Sequence, residues 1–406
     1  MKNIFGPRTQ ALAQVLARRV GAGLVAGGLL GAISGWTNAA PANPPPELPA
    51  ETLGQSTLAQ HSKARIYVAD IAIGHIADGR IRVFDATQGK FLGMVSTGFA
   101  GNFTLSPQAD ELYVATTYLS RGSRGERTDV LEVHDTQSLG LKYEIVLPPR
   151  RAMTLNYRGM VRTLANGRFL LIQNATPATS ITVVDLPARK VVSEIQTPGC
   201  WGTLPAAQLP RFSMLCGDGK IATITLNDSG QVASRQVSEK FFDADQDAWF
   251  HHAEQVGDRY WFVSFQGQLT EMDLGGEVAR QVKQVSLVNA SERKKGWRPG
   301  GFQNFAIDPQ GQWLVLGMHP RGAEGSHKSP AAQLWVFDLR SGRRVATHPG
   351  LGTVSLTFSN NGERLHALDG MTGAMHVWRW SGQGRLQRLV HVAKAGEAAM
   401  HLESHD

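Results

Sequence analysis

Apolar and polar residues alternate along most of the chain in short runs punctuated by Gly, Asn, Asp and Pro. The clearest run is Ile81, Arg82, Val83, Phe84 and Asp85, with apolar outer positions, a central Val and a closing Asp. It recurs as LEVHD at Leu131 to Asp135, ITVVD at Ile181 to Asp185, LTEMD at Leu269 to Asp273 and LWVFD at Leu334 to Asp338. Weaker copies, IATITLN from Ile221 and MHVWRW from Met375, complete the series. Alternation of period two predicts strands, and its return about every 40–65 residues predicts one supersecondary unit per repeat.

Each copy keeps the same company. An apolar segment precedes it, as in IYVAD from Ile66, FLLIQN from Phe169 and WLVLGM from Trp313, and a turn with a further strand-like segment follows it. A fourth segment lies ahead of every unit but the first, and AAMHLE from Ala398 stands at the far end with no unit of its own. That last segment can fill the vacant innermost place of the first unit. The pattern therefore predicts an all-β chain whose residues 63–406 form a seven-bladed β-propeller closed by a C-terminal strand, an arrangement that leaves no open edge at the seam.

This topology also separates two faces. Turns between first and second strands, at 107–110, 165–168, 308–311 and 360–363, are short and rich in turn formers. Loops between second and third strands, and those leading from one unit to the next, emerge on the other face and are long, notably 118–129, 173–180, 286–301 and 319–333. Binding is expected on the long-loop face. The Asp residues that close the repeat strands read as turn formers, not as acid or base catalysts.

The first forty residues break the pattern. Lys2, Arg8, Arg18 and Arg19 precede an apolar stretch from Val20 to Trp36 and small residues at 37–40. This reads as a signal peptide over 1–40, cleaved near Ala39 or Ala40, with residues 41–62 as a flexible Pro-containing leader. A membrane anchor is the alternative; the Gly- and Ala-rich run is short for one, so no membrane insertion is expected. The Arg18–Arg19 pair does not settle the export route. Without the four basic residues of 1–40 the formal charge of +7 falls to +3, which gives no reason to expect nucleic acid as a partner.

Two cysteines, Cys200 and Cys216, flank one predicted hairpin that sets them opposite each other across two strands, so a disulfide is expected, with a pair of buried thiols as the alternative. Thirteen histidines raise the question of a metal. His251 and His252 are adjacent, so on a strand they point to opposite faces, and no HExxH spacing is present. His319 and His327 flank a Gly-rich loop and read as loop residues. No GxSxG elbow or dinucleotide fingerprint appears, so neither a metal nor a catalytic residue is expected in this chain.

The loop sequences point further. TTYLSRGSRGERTDVLEVHD at 116–135, QNATPATSI at 173–181, GCW at 199–201 with CGDG at 216–219, GWRPGG at 296–301 and MHPRGAEGSHKSPAA at 318–332 together resemble the heavy subunit of the tryptophan tryptophylquinone amine dehydrogenases. Their wording is closer to aralkylamine than to methylamine dehydrogenase. The resemblance implies a periplasmic assembly of two heavy and two light chains. In it the quinone is built from two tryptophans of the disulfide-dense light chain, and electrons pass to an azurin- or amicyanin-like copper protein. It also implies that this chain carries no cofactor. A phenylalanine in the family's corresponding loop faces the quinone pocket, which assigns Phe99 to the substrate entrance. Arg124, Arg127, Trp297 and Arg298, otherwise readable as solvated loop residues, fall on the expected light-chain docking face. Two readings compete: a stand-alone propeller hydrolase of the lactonase type, and an exported protein-interaction propeller.

Overall fold

The computed structural model describes Pro49, Thr57, Leu58 and residues 64–153, 156–165 and 167–405. The signal peptide expected over 1–40, with its cleavage site near Ala39 or Ala40, lies outside the described residues. So does most of the leader expected over 41–62. Leu58, within that leader, donates its backbone N–H to Gln137 O at 2.7 Å. By contacts the chain divides into Met1–Gly54 and Gln55–Asp406, and every described strand belongs to the second unit.

That unit is a β-propeller built from antiparallel sheets. The first sheet runs Ala399–His405, Arg65–Asp70, Gly79–Asp85, Phe91–Gly98. The second runs Asn102–Leu105, Glu111–Leu119, Arg127–Asp135, Leu141–Leu147. The third, fourth and fifth repeat this order from Val161–Thr163, Cys200–Pro205 and Trp249–Val256 respectively. In each, the two central strands are largely buried because both faces pack against neighbouring sheets. Ile66, Val68, Ile181 and Val183 are all fully buried.

The expectation of seven separate blades needs correction: five sheets stand alone with four strands each, and the remaining strands form one eight-stranded sheet. The cause is Arg343–Phe358, a single 16-residue strand that pairs through its first half with Ala331–Asp338 and through its second half with Arg364–Asp369. Where a unit-to-unit loop was expected, the chain passes from one partner to the other through a tight kink, with Leu351 at φ 48° and Gly352 at φ 69°, while staying against Ala331. A Cβ on Gly350 would lie 2.2 Å from the Ala331 carbonyl oxygen, so only glycine permits this approach.

The C-terminal strand lies where the repeat count puts it. Ala399–His405 pairs antiparallel with Arg65–Asp70, with Val68 opposite Leu402 and Tyr67 opposite Glu403. Ile66, Val68 and Leu402 share an apolar cluster with Leu368, Met375 and Val377 of the last repeat, which ties the first and last described strands together. Among the described residues, no helix is long and apolar enough to cross a membrane.

The loops are shorter than expected. The hairpin read as 118–129 is laddered through Leu119 opposite Arg127, because alternation continues through Thr117 and Thr128. The 286–301 stretch contains the helix Ala290–Lys294, closed by a capping box between Asn289 and Glu292.

Candidate functional site

The innermost strands of a propeller surround a central channel, and here charged side chains fill its middle. Arg158, just ahead of Val161–Thr163, donates from Nε to Glu403 Oε1 at 2.8 Å and from Nη1 to Glu254 Oε1 at 2.9 Å. Glu403 comes from the C-terminal strand of the first sheet and Glu254 from the fifth, so one guanidinium links three sheets. His401 Nε2 donates to the same Glu403 oxygen at 2.8 Å, and His252 Nε2 donates to the Phe305 carbonyl at 2.9 Å. Burial alone would raise the Glu403 carboxyl, but Arg158 and His401 hold it well below the usual carboxylate range. Gln303 completes the packing by accepting from Leu402 N at 2.6 Å and donating to Leu402 O at 3.1 Å.

Two cavities flank this plug. One of about 440 Å³ opens among the short turns and is lined by Arg158, Arg162, Trp201, Glu254, Tyr260 and Asn360, among others. The other, about 490 Å³, opens on the long-loop face; Tyr157, Trp249, Phe250, Phe265, Phe302 and His327 wall it, with Asp245, Glu324 and Lys328 also present. His251 lines both. Its ring lies against Tyr157 at 5.1 Å, and burial together with neighbouring His252 pushes its pKa down to about 4. Among the described residues, no three His, Cys, Asp or Glu side chains converge as metal ligands would.

The residues singled out from sequence fall into two groups. Phe99 is half-buried in the turn between Phe91–Gly98 and Asn102–Leu105; its N–H donates to Thr117 O at 2.9 Å. Buried Arg151 holds that turn, donating to Phe99 O at 2.7 Å, Ala100 O at 2.9 Å and Thr117 Oγ1 at 2.9 Å. Arg127 belongs to the same network, since it pairs with Asp129 at 2.6 Å and donates to Arg151 O at 3.1 Å. Arg124 is exposed in the adjoining hairpin loop. The second group lies near the aromatic cavity: Arg298 sits 4.6 Å above the Phe265 ring, and Trp297 packs 5.3 Å from Trp335. Phe99 and Arg127 thus come together through Arg151, while Trp297 and Arg298 belong to the eight-stranded sheet and its approach.

Sequence reasoning missed Arg151, the Arg158 plug and the aromatic cavity. Each joins residues tens to hundreds of positions apart, and a one-dimensional pattern carries no signal for that. Cys200 and Cys216, by contrast, are direct cross-strand partners joined as a disulfide, which resolves the alternative of two thiols.

A family model described as methylamine dehydrogenase heavy chain (MADH) matches residues 62–384. The methylamine dehydrogenase heavy chain of Methylorubrum extorquens is 26% identical over 267 residues, covering 65% of this chain and 64% of that protein. That of Paracoccus versutus is 26% identical over 330 residues, covering 80% of this chain and 75% of that one. The aligned region thus spans just under two thirds of the Methylorubrum extorquens relative. Among solved structures, a periplasmic gluconolactonase of Pseudomonas aeruginosa superimposes with a TM-score of 0.60 at 14% identity, over 84% of this chain and 99% of that one. A putative 6-phosphogluconolactonase of Bacteroides fragilis gives 0.60 at 12% identity, over 85% and 99%. At such identities the likeness is one of fold.

Proposed function

Because the chain belongs to the methylamine dehydrogenase heavy chain family, matched over residues 62–384, we propose that it is the quinone-free heavy subunit of an amine dehydrogenase. That family match is the observation that carries the reading. In this proposal the chain is exported to the periplasm after loss of residues 1–40, and two heavy chains assemble with two light chains. The complex oxidises primary amines to aldehyde and ammonia and passes electrons to an azurin- or amicyanin-like copper protein. The tryptophan tryptophylquinone of the light chain supplies the electron-accepting chemistry. Both cysteines of this chain are committed to one disulfide, which is consistent with the disulfide-dense, quinone-bearing role lying with the partner.

What this chain's residues contribute is recognition. Phe99 lines the amine entrance, and Arg124, Arg127, Trp297 and Arg298 belong to the docking face. An aralkylamine preference is supported by the loop wording and by the aromatic cavity on the same face. Ring surfaces such as Trp249 and Phe265 suit an apolar side chain, and the carboxylates of Asp245 and Glu324 suit its ammonium group. The relatives are methylamine dehydrogenases at 26% identity, a distance at which loop side chains that set amine size diverge freely. In this reading the eight-stranded sheet serves as two blades, for a total of seven. Ala306, Val315 and Val336 of its first half share a cluster with Leu356, Leu365 and Trp378 of its second.

The test is purification of the native complex from the export compartment. A small quinone-staining chain should accompany this one, and the complex should reduce a dye on addition of phenylethylamine. A monomeric chain with lactone hydrolysis and no such companion would overturn the proposal in favour of a lactonase-type enzyme; a companion without quinone would leave an interaction propeller.

A further inference from the structure

The outer half of the last repeat holds two histidines that neither the channel nor the loop face uses. His376 on Met375–Trp380 and His391 on Leu386–Val392 are directly opposite each other across an antiparallel pair. Such partners point to the same side of a sheet with Cβ atoms about 4.5–5.5 Å apart, close enough for their rings to meet. Here the rings stack with centroids 4.9 Å apart and planes at 24°, and the two Nδ1 atoms are 3.3 Å apart. A gap that narrow has room for one proton, so at least one lone pair faces it.

The spacing has a chemical meaning. Two imidazole nitrogens, each about 2.0–2.1 Å from a tetrahedral ion, lie about 3.3 Å from each other. The surroundings favour the same geometry. His376 is 6% exposed and its ring packs 5.6 Å from Trp378, which fixes one ligand, whereas exposed His391 leaves the other side open to water. We propose that His376 and His391 form a two-imidazole site for a divalent late-transition ion such as Zn²⁺ or Cu²⁺, with water completing the coordination. Nitrogen donors select such ions over Ca²⁺ and Mg²⁺, which require oxygen ligands. No third protein ligand joins the pair among the described residues, so the site is open and weaker than a closed structural zinc centre. A bound ion cross-links the outermost strand, Leu386–Val392, to its neighbour and protects an otherwise exposed edge.

Calorimetric titration of the full, tag-free protein with Zn²⁺ and Cu²⁺, alongside electron paramagnetic resonance of the Cu²⁺ form, tests this. One equivalent should bind with splitting from two imidazole nitrogens, and Ca²⁺ should not compete. His391→Asn, at an exposed position, should keep the native far-UV spectrum and weaken binding by about tenfold or more. His376→Gln should weaken it likewise. Unchanged affinity in a folded His391→Asn variant, competition by Ca²⁺, or no binding of either ion at millimolar concentration would each overturn the proposal.

Discussion

Arg151 gives the loop carrying Phe99 its shape. Its guanidinium, 2% exposed, donates to the carbonyls of Phe99, Ala100 and Ala152 and to the Thr117 hydroxyl, while Ala100 itself sits at φ 49°. Burial lowers its pKa to about 10, so it remains charged at neutral pH. Arg151→Met would strand these acceptors and should cost about 3 kcal/mol in urea unfolding; Arg151→Lys should recover only part, since an ammonium lacks the planar fork. Phe99→Ala should leave assembly and quinone reduction intact but shift preference across a series from short alkylamines to phenylethylamine. Unchanged steady-state selectivity in an assembled variant would return Phe99 to a structural role. His251 carries a pH signature. Its folded pKa, about 4, lies below the ordinary histidine value, so the unfolded chain binds the extra proton first. Its contribution is therefore fully present above about pH 6.5 and is lost as pH falls toward about 4. His251→Asn should flatten the stability slope over that window. At this scale the repeat Asp residues were legible: Asp85 Oδ1 accepts from the N–H groups of Thr87 and Gln88, and Asp135 Oδ1 from those of Gln137 and Ser138, as turn formers do. Arg151 and Arg158 were not, because nothing local distinguishes a buried arginine from a solvated one.

Strands were legible to within a few residues because alternation extends along each one, and their order followed from the repeat. Ile181 to Asp185 became Ser180–Asp185, and Phe169 to Asn174 matched outright. The joined final sheet was not, since Leu351 and Gly352 do turn, at φ 48° and 69°, but the close approach of Gly350 to Ala331 keeps the turn so tight that pairing continues on both sides of it. The helix Ala290–Lys294 had a readable signal in Asn289 and Glu292, three residues apart, that a strand-dominated pattern obscured. The disulfide belongs to this scale because it fastens two strands of one hairpin. Its sequence separation of 16 corresponds to about 3 kcal/mol of chain-entropy stabilisation. Unfolding under reducing conditions, or of Cys200→Ser with Cys216→Ser, should show a loss of that size, and peptide mass spectrometry without reduction should recover the linked pair.

For the whole molecule, the first sheet depends on both ends of the described chain. Removing the last ten residues would take away the partner of Arg65–Asp70, unbury Ile66 and Val68, and delete Met400, Leu402 and Glu403. Losing two buried side chains and the Arg158 linkage should lower stability by about 5 kcal/mol or more and broaden the thermal transition of the entire propeller. A truncated chain that unfolds at the parent temperature would show that closure matters little. The same strand also sets a clock. Synthesis runs from the N-terminus, yet the sheet begun by Arg65 has no innermost strand until residue 405 is available. Intermediate sheets can form from contiguous sequence as they emerge, but the ring can lock only after Ala399–His405 has been made. Until then Tyr67, Val68 and their neighbours present an unpaired edge, so the nascent chain stays open to handling by other factors until Ala399–His405 pairs with it.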